Sequence, residues 1–242
     1  MKRWFFSAKQ KTPTYYKELL IKADLGLHDQ IADTLCSEVK KNGEILDFGA
    51  GEGALSARLS DLGYKVTAVD MDSENFKCKE VNFFKLNFDS PVEIERFVTA
   101  NEGKFDAVLG VEVIEHVQDQ WLYTRNLMRM LKPGGVVLIT TPNTESWMSR
   151  LQFFRTGRFH QFSDADLSYG HINPITPWEL KLVMTGANAK DIKMAPGGTL
   201  PAIYWEGLNR ITLLNILVLF LRPFMRGQLD GWCIIATGRK DE

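Results

Sequence analysis

Three side chains that could carry proton chemistry stand close together in the string EVIEHV, where Glu112 and Glu115 precede His116. An imidazole with its ordinary pKa of about 6.5 can accept a proton at neutral pH. His116 is therefore the candidate general base, with the Glu115 carboxylate beside it. His171, in the later string GHINPITPWEL, provides a second imidazole for the same candidate site.

The same residues allow a second interpretation, a site for a divalent cation. The carboxylates of Glu112 and Glu115 and the imidazoles of His116 and His171 suit manganese, iron or zinc better than calcium. A histidine in a loop or at a helix start is more often a structural residue that makes hydrogen bonds. The sequence therefore leaves the cation open, and we assign no metal ligand from it.

The string EILDFGAGEG, residues 44–53, has the composition of a ligand-binding turn between a strand and a helix. Glycine allows a sharp turn with bare N–H groups that a ligand can approach closely. Asp47 would repel a pyrophosphate, whereas it would attract the ammonium and sulfonium groups of S-adenosylmethionine. The loop therefore favours S-adenosylmethionine, although Gly49, Gly51 and Gly53 also fit a dinucleotide fingerprint or a purely structural turn.

Further ligand contacts are predicted where the next two strands end. Asp70 lies at the end of the second strand, 21 positions after Gly49, where a carboxylate can accept hydrogen bonds from ribose hydroxyls. Asn87 and Phe88 follow the third strand and could hydrogen-bond to an adenine and stack on it. The two remaining histidines are expected to do less: His28 as a helix cap or surface residue, and His160 as an exposed residue.

The elements that must position these residues alternate along the chain. Apolar spacing predicts helices over 28–41, 54–62, 91–99 and 121–131, and extended apolar runs predict strands at 44–48, 65–70, 81–86, 105–110 and 136–141. TPWE starts another helix that ends at Gly186, before strands at 190–194 and 231–239. The sequence therefore predicts an α/β fold, a doubly wound, Rossmann-like, mostly parallel seven-stranded sheet with helices on both faces.

We interpret residues 1–242 as one domain, because the chain is rather short for two. Residues 28–143 form the predicted cofactor-binding core. Residues 144–175 mix aromatic and basic side chains and are predicted to be a cap over the strand ends, and residues 197–229 are an apolar helical insertion.

Four motifs in succession carry a resemblance to a known family: ILDFGAGEG, VTAVD, FDAVLGVEVIEHV and LKPGGVVLITTPN. Together they resemble the class I S-adenosylmethionine-dependent methyltransferases, and EVIEHV is most similar to the ubiquinone-pathway O-methyltransferase branch. The resemblance covers roughly residues 28–143 and returns weakly at 170–190. It implies S-adenosylmethionine as the cofactor, S-adenosylhomocysteine as the product and methyl transfer as the reaction. The implied cofactor contacts are Asp47, Gly49, Ala50, Gly51, Asp70, Met71, Asn87, Phe88 and, from the segment that starts at Val111, Val111 and Glu112. Family members often have aspartate where Asn87 stands.

Bulk composition indicates an ordinary globular protein. The net charge of -1, with 45% hydrophobic and 24% charged residues, gives no general attraction for nucleic acid. Three widely spaced cysteines indicate neither a disulfide framework nor a zinc knuckle, so a cytoplasmic location is expected. The start of the chain, MKRWFFSAKQ, is basic but has too short an apolar stretch for a signal peptide.

One uncharged run, Ile211–Leu221, stands apart from this average. It is about half as long as the ~20 residues that a bilayer span needs, and arginines follow it. It is predicted to be a core helix, a homodimer face or an interfacial anchor. Peripheral membrane contact through 207–226 would suit a small-molecule acceptor that is hydrophobic, or linked to a lipid or glycan, and that offers a hydroxyl.

Two other classes of protein stay open on the sequence. An NAD-dependent oxidoreductase would share the glycine loop and Asp70, but the short-chain type needs a Tyr-x-x-x-Lys pair, which no tyrosine here provides. A non-catalytic S-adenosylmethionine-binding module would keep the cofactor motifs and lack the chemistry.

Overall fold

A computed structural model describes residues 13–205 and 207–242. The segment MKRWFFSAKQ, for which export was not expected, lies outside the described residues. Nine strands are present in the described part of the chain: β1 (Thr14–Tyr16), β2 (Leu19–Ile21), β3 (Glu44–Phe48), β4 (Lys65–Asp70), β5 (Asn82–Lys85), β6 (Phe105–Val111), β7 (Leu131–Pro142), β8 (Lys190–Gly197) and β9 (Cys233–Arg239).

The helices alternate with these strands as the apolar spacing predicts. They are α1 (Leu27–Glu38), α2 (Ala54–Asp61), α3 (Pro91–Ala100), α4 (Gln120–Met130), α5 (Trp147–Thr156), α6 (Pro177–Gly186) and α7 (Arg210–Leu221). Short 3₁₀ helices occupy Asp166–Tyr169 and Arg222–Phe224. The α6 start predicted from TPWE is confirmed, since the Thr176 side chain accepts a hydrogen bond from the Glu179 N–H.

Seven strands form one sheet in the order β5-β4-β3-β6-β7-β9-β8. The first five are parallel, and β9 is antiparallel to both β7 and β8. Buried apolar side chains from the two faces of the sheet form separate cores under the helices, as a sheet covered on both sides requires. The predicted doubly wound, mostly parallel seven-stranded fold is confirmed.

Several boundaries differ from the predicted ones. The KPGG turn was expected to separate α4 from a strand at 136–141, but β7 already begins at Leu131, which pairs with Phe105. The register then shifts, so residues 132–135 form a bulge inside the strand rather than a loop. The antiparallel hairpin of β1 and β2 was not predicted, because its strands are only three residues long.

The two insertions meet in a third, smaller core. Trp147 of α5 and Val218 of α7 pack there with Leu200 and Tyr204. Apart from the half-buried Leu219, the remaining apolar residues of α7 are exposed, which excludes the core-helix interpretation of the run. In the described parts of the chain, no helix has the length and apolarity needed to cross a membrane.

Candidate functional site

The glycine loop between β3 and α2 has the sharp turn that its composition predicts. Gly49, Gly51 and Gly53 all have positive φ, at 107°, 57° and 89°. A Cβ on Gly49 would lie 2.4 Å from Cγ2 of Val113, so only glycine fits there. The N–H groups of Gly49 and Ala50 both donate to the Val69 carbonyl, which fixes the loop to the end of β4.

Asp70, which is predicted to bind a ribose, is tied to this loop. Its Oδ2 accepts a hydrogen bond from the Gly51 N–H at 2.8 Å, and its Oδ1 accepts one from the Asp72 N–H at 3.1 Å. The carboxylate therefore fixes the shape of the loop while keeping acceptor capacity for a ligand.

Asp47 lies beneath the loop, with 1% of its surface exposed. The Ser56 hydroxyl donates a hydrogen bond of 2.6 Å to its Oδ2. Burial raises the pKa of Asp47, the Ser56 hydrogen bond lowers it and the nearby charge of Asp70 raises it, and the net pKa is about 6. A buried carboxylate with a raised pKa is stabilised by a nearby cation, so Asp47 favours a positively charged ligand group.

The residues predicted to contact adenine lie at the ends of neighbouring strands. Asp70 pairs with Lys85 in the sheet, so Met71 and the pair Asn87 and Phe88 leave the sheet at the same edge. Met71 and Asn87 are exposed. Phe88 is half-buried, with its ring centroid 4.9 Å from that of Phe48.

Val111 ends β6, and Glu112 turns the chain away from the sheet. Glu112 has a φ of 53°, a strained conformation for a residue with a side chain. Its N–H and its Oε1 both bind the Thr140 hydroxyl, and its Oε2 accepts a hydrogen bond from Cys233 Sγ at 3.4 Å. Burial raises the pKa of Glu112. Its side chain is therefore held by β7 and β9 and does not join the histidines.

Glu115, His116 and His171 converge, each offering a ligand atom within 4.8 Å of the others. His116 Nε2 lies 3.9 Å from Glu115 Oε1, and the two imidazole centroids are 4.9 Å apart. The four-residue cation set considered from the sequence is thus reduced to three, without Glu112. The predicted catalytic residues His116, Glu115 and His171 do lie together.

The electrostatics of this cluster are set by burial. Glu115 is fully buried, and neither of its carboxylate oxygens has a hydrogen-bond partner among the described residues. Burial raises the pKa of Glu115 well above its ordinary value, and the Glu112 charge adds to this. Burial lowers the pKa of His116, and His171 lowers it further. Neutral imidazole is therefore the form that His116 keeps near neutral pH.

The tautomer of His171 follows from one contact. Its Nδ1 lies 2.8 Å from the Gln161 carbonyl oxygen, which can only accept, so Nδ1 carries the proton. Nε2 is then left with a lone pair. The cluster presents one carboxylate and two imidazoles, a set that could accept a proton or bind a cation.

A further tyrosine, which the sequence did not single out, underlies the site. The Tyr123 hydroxyl is buried and lies below Gly110, where a Cβ would come within 2.2 Å of the oxygen. Burial raises the pKa of Tyr123 well above its ordinary value, and the charges of Glu115 and Asp47 raise it further. The phenol therefore stays protonated between two acidic groups.

Both expectations for the remaining histidines are wrong. His28 is buried in α1, and burial lowers its pKa to about 4, with Arg58 adding to the effect. His160 is half-buried, with its ring 4.8 Å from Trp232 and its Nδ1 3.1 Å from Gln152. The sequence could not show this, because the covering residues lie in other elements.

Known proteins share the sequence pattern and the fold of this chain. A family profile described as "Methyltransferase domain" matches residues 24–193, well over half of the chain. A ubiquinone biosynthesis O-methyltransferase of Caulobacter vibrioides is 37% identical over 102 residues, which cover 41% of this chain and 40% of that protein. One of Maricaulis maris is 32% identical over 124 residues, covering 47% and 49%. The chain thus matches less than half the length of these curated relatives.

Solved structures share the fold over most of the chain. A SAM-dependent methyltransferase from Archaeoglobus fulgidus superposes with a TM-score of 0.62 at 15% identity, covering 88% of this chain and 94% of that one. At this identity the likeness shows the fold alone. The comparisons give no support to an NAD-dependent oxidoreductase.

Proposed function

The chain belongs to the methyltransferase-domain family, and on that premise we propose that it transfers a methyl group from S-adenosylmethionine to a hydroxyl of a hydrophobic small molecule. The observation that carries the chemical part of the proposal is the convergence of Glu115, His116 and His171 within 4.8 Å, with Glu115 and His116 in the segment that follows β6. This is the carboxyl edge of the sheet, where doubly wound folds bind their ligands.

Each predicted cofactor residue has a distinct part in this proposal. Asp47 attracts the cationic head of S-adenosylmethionine from beneath the loop, and Gly49, Ala50 and Gly51 allow its close approach. Asp70 accepts hydrogen bonds from the ribose. The adenine lies between Met71, Asn87 and Phe88 at the neighbouring strand end, and Val111 and Glu112 form the opposite wall.

Bound S-adenosylmethionine supplies an electrophilic methyl group on a sulfonium. The protein aligns the acceptor oxygen with that methyl group and excludes water, which supplies most of the rate gain as effective molarity. His116 takes the hydroxyl proton as the oxygen–methyl bond forms and the sulfur–methyl bond breaks, leaving S-adenosylhomocysteine. His171 and Glu115 position the His116 imidazole.

A divalent cation in the same cluster is the second candidate. The unpartnered, fully buried carboxylate of Glu115 favours it, because a buried charge is costly unless it is paired. The residues that would hold the ion are Glu115, His116 and His171, and it would supply Lewis-acid stabilisation to the acceptor oxygen. Calorimetric titration with Mn²⁺ separates the two candidates, because binding by the wild type and none by His171→Gln would favour the cation.

The hydrophobic nature of the acceptor is argued from the insertions. Residues 144–175 place aromatic side chains beside the site: Phe162 packs on His171 with centroids 5.6 Å apart. The curated relatives are named for ubiquinone biosynthesis, which fits an acceptor with a long apolar tail. Peripheral membrane contact through 207–226 and homodimer formation are the two further interactions that such an enzyme could use.

Labelled methyl transfer tests the proposal. Wild type and His116→Gln are incubated with labelled S-adenosylmethionine and paired phenols that differ only in carrying an alkyl chain. The proposal predicts O-methylated product, more from the alkylated member, with much less from His116→Gln. Cofactor binding with no transfer to any hydroxyl would instead support a non-catalytic binding module or another acceptor atom.

A further inference from the structure

The polarity of helix α7 is reversed relative to a helix on the surface of a soluble protein. Thr212 and Asn215 point into the protein and are fully buried. Asn215 is satisfied there, because its Oδ1 accepts a hydrogen bond from the Tyr204 N–H and its Nδ2 donates to the Ala202 carbonyl. A surface helix normally buries its apolar side and exposes its polar side.

The outward side of α7 is apolar after its first residue, Arg210. At about 100° per residue, six exposed apolar residues between Leu213 and Leu221 fall within roughly half of the helix circumference. We call these residues the outer face of α7: Leu213, Leu214, Ile216, Leu217, Phe220 and Leu221. Leu217 is 53% exposed and Phe220 74%. An exposed apolar surface of this extent marks an interaction site.

Charge around the outer face distinguishes between candidate occupants. Arg210 stands at one end of α7, and Arg222 and Arg226 follow the other end. Residues 207–229 contain no aspartate or glutamate, and Glu206 and Asp230 flank the stretch. Arg222 is paired with Asp230, but no described carboxylate lies within ion-pair distance of Arg210 or Arg226. The face is therefore apolar at its centre, with Arg210 at one end and Arg226 beyond the other as its cations.

A second copy of the chain fits this charge pattern poorly. In a two-fold dimer the same surface meets itself. If the two helices ran antiparallel, Arg210 of one copy would face Arg226 of the other. If they ran parallel, Arg210 of one copy would face Arg210 of the other. Like charges would meet at both ends in either case.

An anionic membrane surface satisfies both features. Apolar side chains enter the boundary between headgroups and acyl chains, while arginines at the ends reach the phosphates. A 12-residue helix is about 18 Å long, short of the ~30 Å hydrocarbon core, so it would lie in the plane of the surface. Helix α5 packs on the same small core as α7 and carries Phe154, which is 92% exposed.

We infer that the outer face of α7 docks the protein onto a bilayer that contains anionic lipids. The inference rests on the proposed function, because a hydrophobic acceptor is a molecule that such a surface would supply. Docking would hold the cap, and the cluster of Glu115, His116 and His171 beneath it, close to the membrane.

Vesicle co-sedimentation tests the docking directly. The full chain is mixed with phosphatidylcholine vesicles, with or without about one third phosphatidylglycerol. We expect binding to the anionic vesicles, weakened at least about tenfold in Leu217→Asp/Phe220→Asp. The control is Leu122→Asp/Trp178→Asp, which places the same charges on exposed apolar positions of α4 and α6 and should bind as the wild type does.

A second variant keeps the test decisive if the aspartates disturb folding. Arg210→Gln/Arg226→Gln leaves the apolar face intact and should lose about fivefold in vesicle affinity for each arginine. The inference would be overturned if the wild type did not bind vesicles. It would also be overturned if vesicle binding were unchanged in both Leu217→Asp/Phe220→Asp and Arg210→Gln/Arg226→Gln. A wild-type dimer in sedimentation velocity that Leu217→Asp/Phe220→Asp converts to a monomer would overturn it as well.

Calorimetric titration with S-adenosylmethionine separates this inference from the proposed function. We expect equal cofactor affinity in the wild type and all three variants. A wild type that binds vesicles but not S-adenosylmethionine would contradict the proposed function and leave the docking surface standing.

Discussion

The Asp70 carboxylate accepts a hydrogen bond of 2.8 Å from the Gly51 N–H, so the residue that we propose binds the ribose also fixes the glycine loop. In that proposal one side chain couples the shape of the loop to the sugar. Such a hydrogen bond to a charged group is worth about 1.5–3 kcal/mol.

Removing this carboxylate should weaken cofactor binding twice, by losing a ribose acceptor and by loosening the loop. We predict that Asp70→Ala lowers S-adenosylmethionine affinity by at least about a hundredfold, measured by calorimetry. Asp72→Ala is the control, because Asp72 is exposed and its carboxylate binds only local backbone N–H groups. Equal losses of S-adenosylmethionine affinity in the two variants would show that Asp70 has no specific role in binding the cofactor.

The buried charge of Asp47 should cost stability in the ligand-free protein. Its pKa is raised to about 6 in the folded state, so the folded protein holds this proton more tightly than the unfolded chain does. The penalty is about 3 kcal/mol above pH 6 and disappears as the pH falls from 6 toward 4. Asp47→Asn should therefore raise the free energy of unfolding at pH 7.5 by up to that amount, while weakening S-adenosylmethionine binding.

Asp106→Asn is the control, because we expect it to lower the free energy of unfolding where Asp47→Asn raises it. Hydrogen bonds from Lys132 and the Glu44 N–H outweigh partial burial and lower the pKa of Asp106, so its charge stabilises the fold at neutral pH. Urea unfolding of both variants across this pH range checks the pair. A loss of stability in Asp47→Asn at pH 7.5 would contradict the assignment.

Two glycines of the loop should respond differently to a single methyl group. Gly49→Ala meets Val113 and a positive φ, whereas Gly51→Ala has a positive φ but nothing within 4 Å of the added Cβ. We predict that Gly51→Ala costs about 1–2 kcal/mol in the free energy of unfolding and Gly49→Ala clearly more. Denaturant unfolding without ligand measures both free energies. Equal losses of stability would show that the Val113 side chain moves aside at little cost in free energy.

Activity should persist into mildly acidic solution. His116 works as a base only when neutral, and burial lowers its pKa, so kcat should fall only as the pH drops below about 6.5. His116→Gln should reduce kcat about 10²–10⁴-fold and remove this acidic limb. His160→Gln, which changes a histidine packed on Trp232 outside the cluster, should keep it. An unchanged limb in His116→Gln would assign the base to another group.

The sequence predicted the part of the fold that depends on local pattern. Apolar periodicity marked each strand of the main sheet and most helices, and the glycine loop fixed the ligand end of the sheet. The hairpin at Thr14–Ile21 was not predicted, because its three-residue strands are too short to show an alternating apolar pattern. The bulge at KPGG was not predicted, because it depends on the pairing of Leu131 with Phe105, which lies in another strand.

The site was predicted in residue type and only partly in arrangement. Glu112 was grouped with the histidines because it is near them in sequence, but Thr140 and Cys233, from strands far along the chain, hold its side chain elsewhere. The two threonines that end the VVLITT strand, Thr140 and Thr141, were the available signal. The inward side of α7 had a signal too, since Thr212 and Asn215 are three residues apart in an apolar run.

Calorimetric titration of the purified chain with S-adenosylhomocysteine and, separately, with NAD tests the central claim most directly. Because Asp47 favours a cationic amino-acid head and disfavours a diphosphate, we predict saturable binding of S-adenosylhomocysteine and none of NAD, with the first lost in Asp70→Ala. Tight binding of NAD with no heat from S-adenosylhomocysteine would contradict the account.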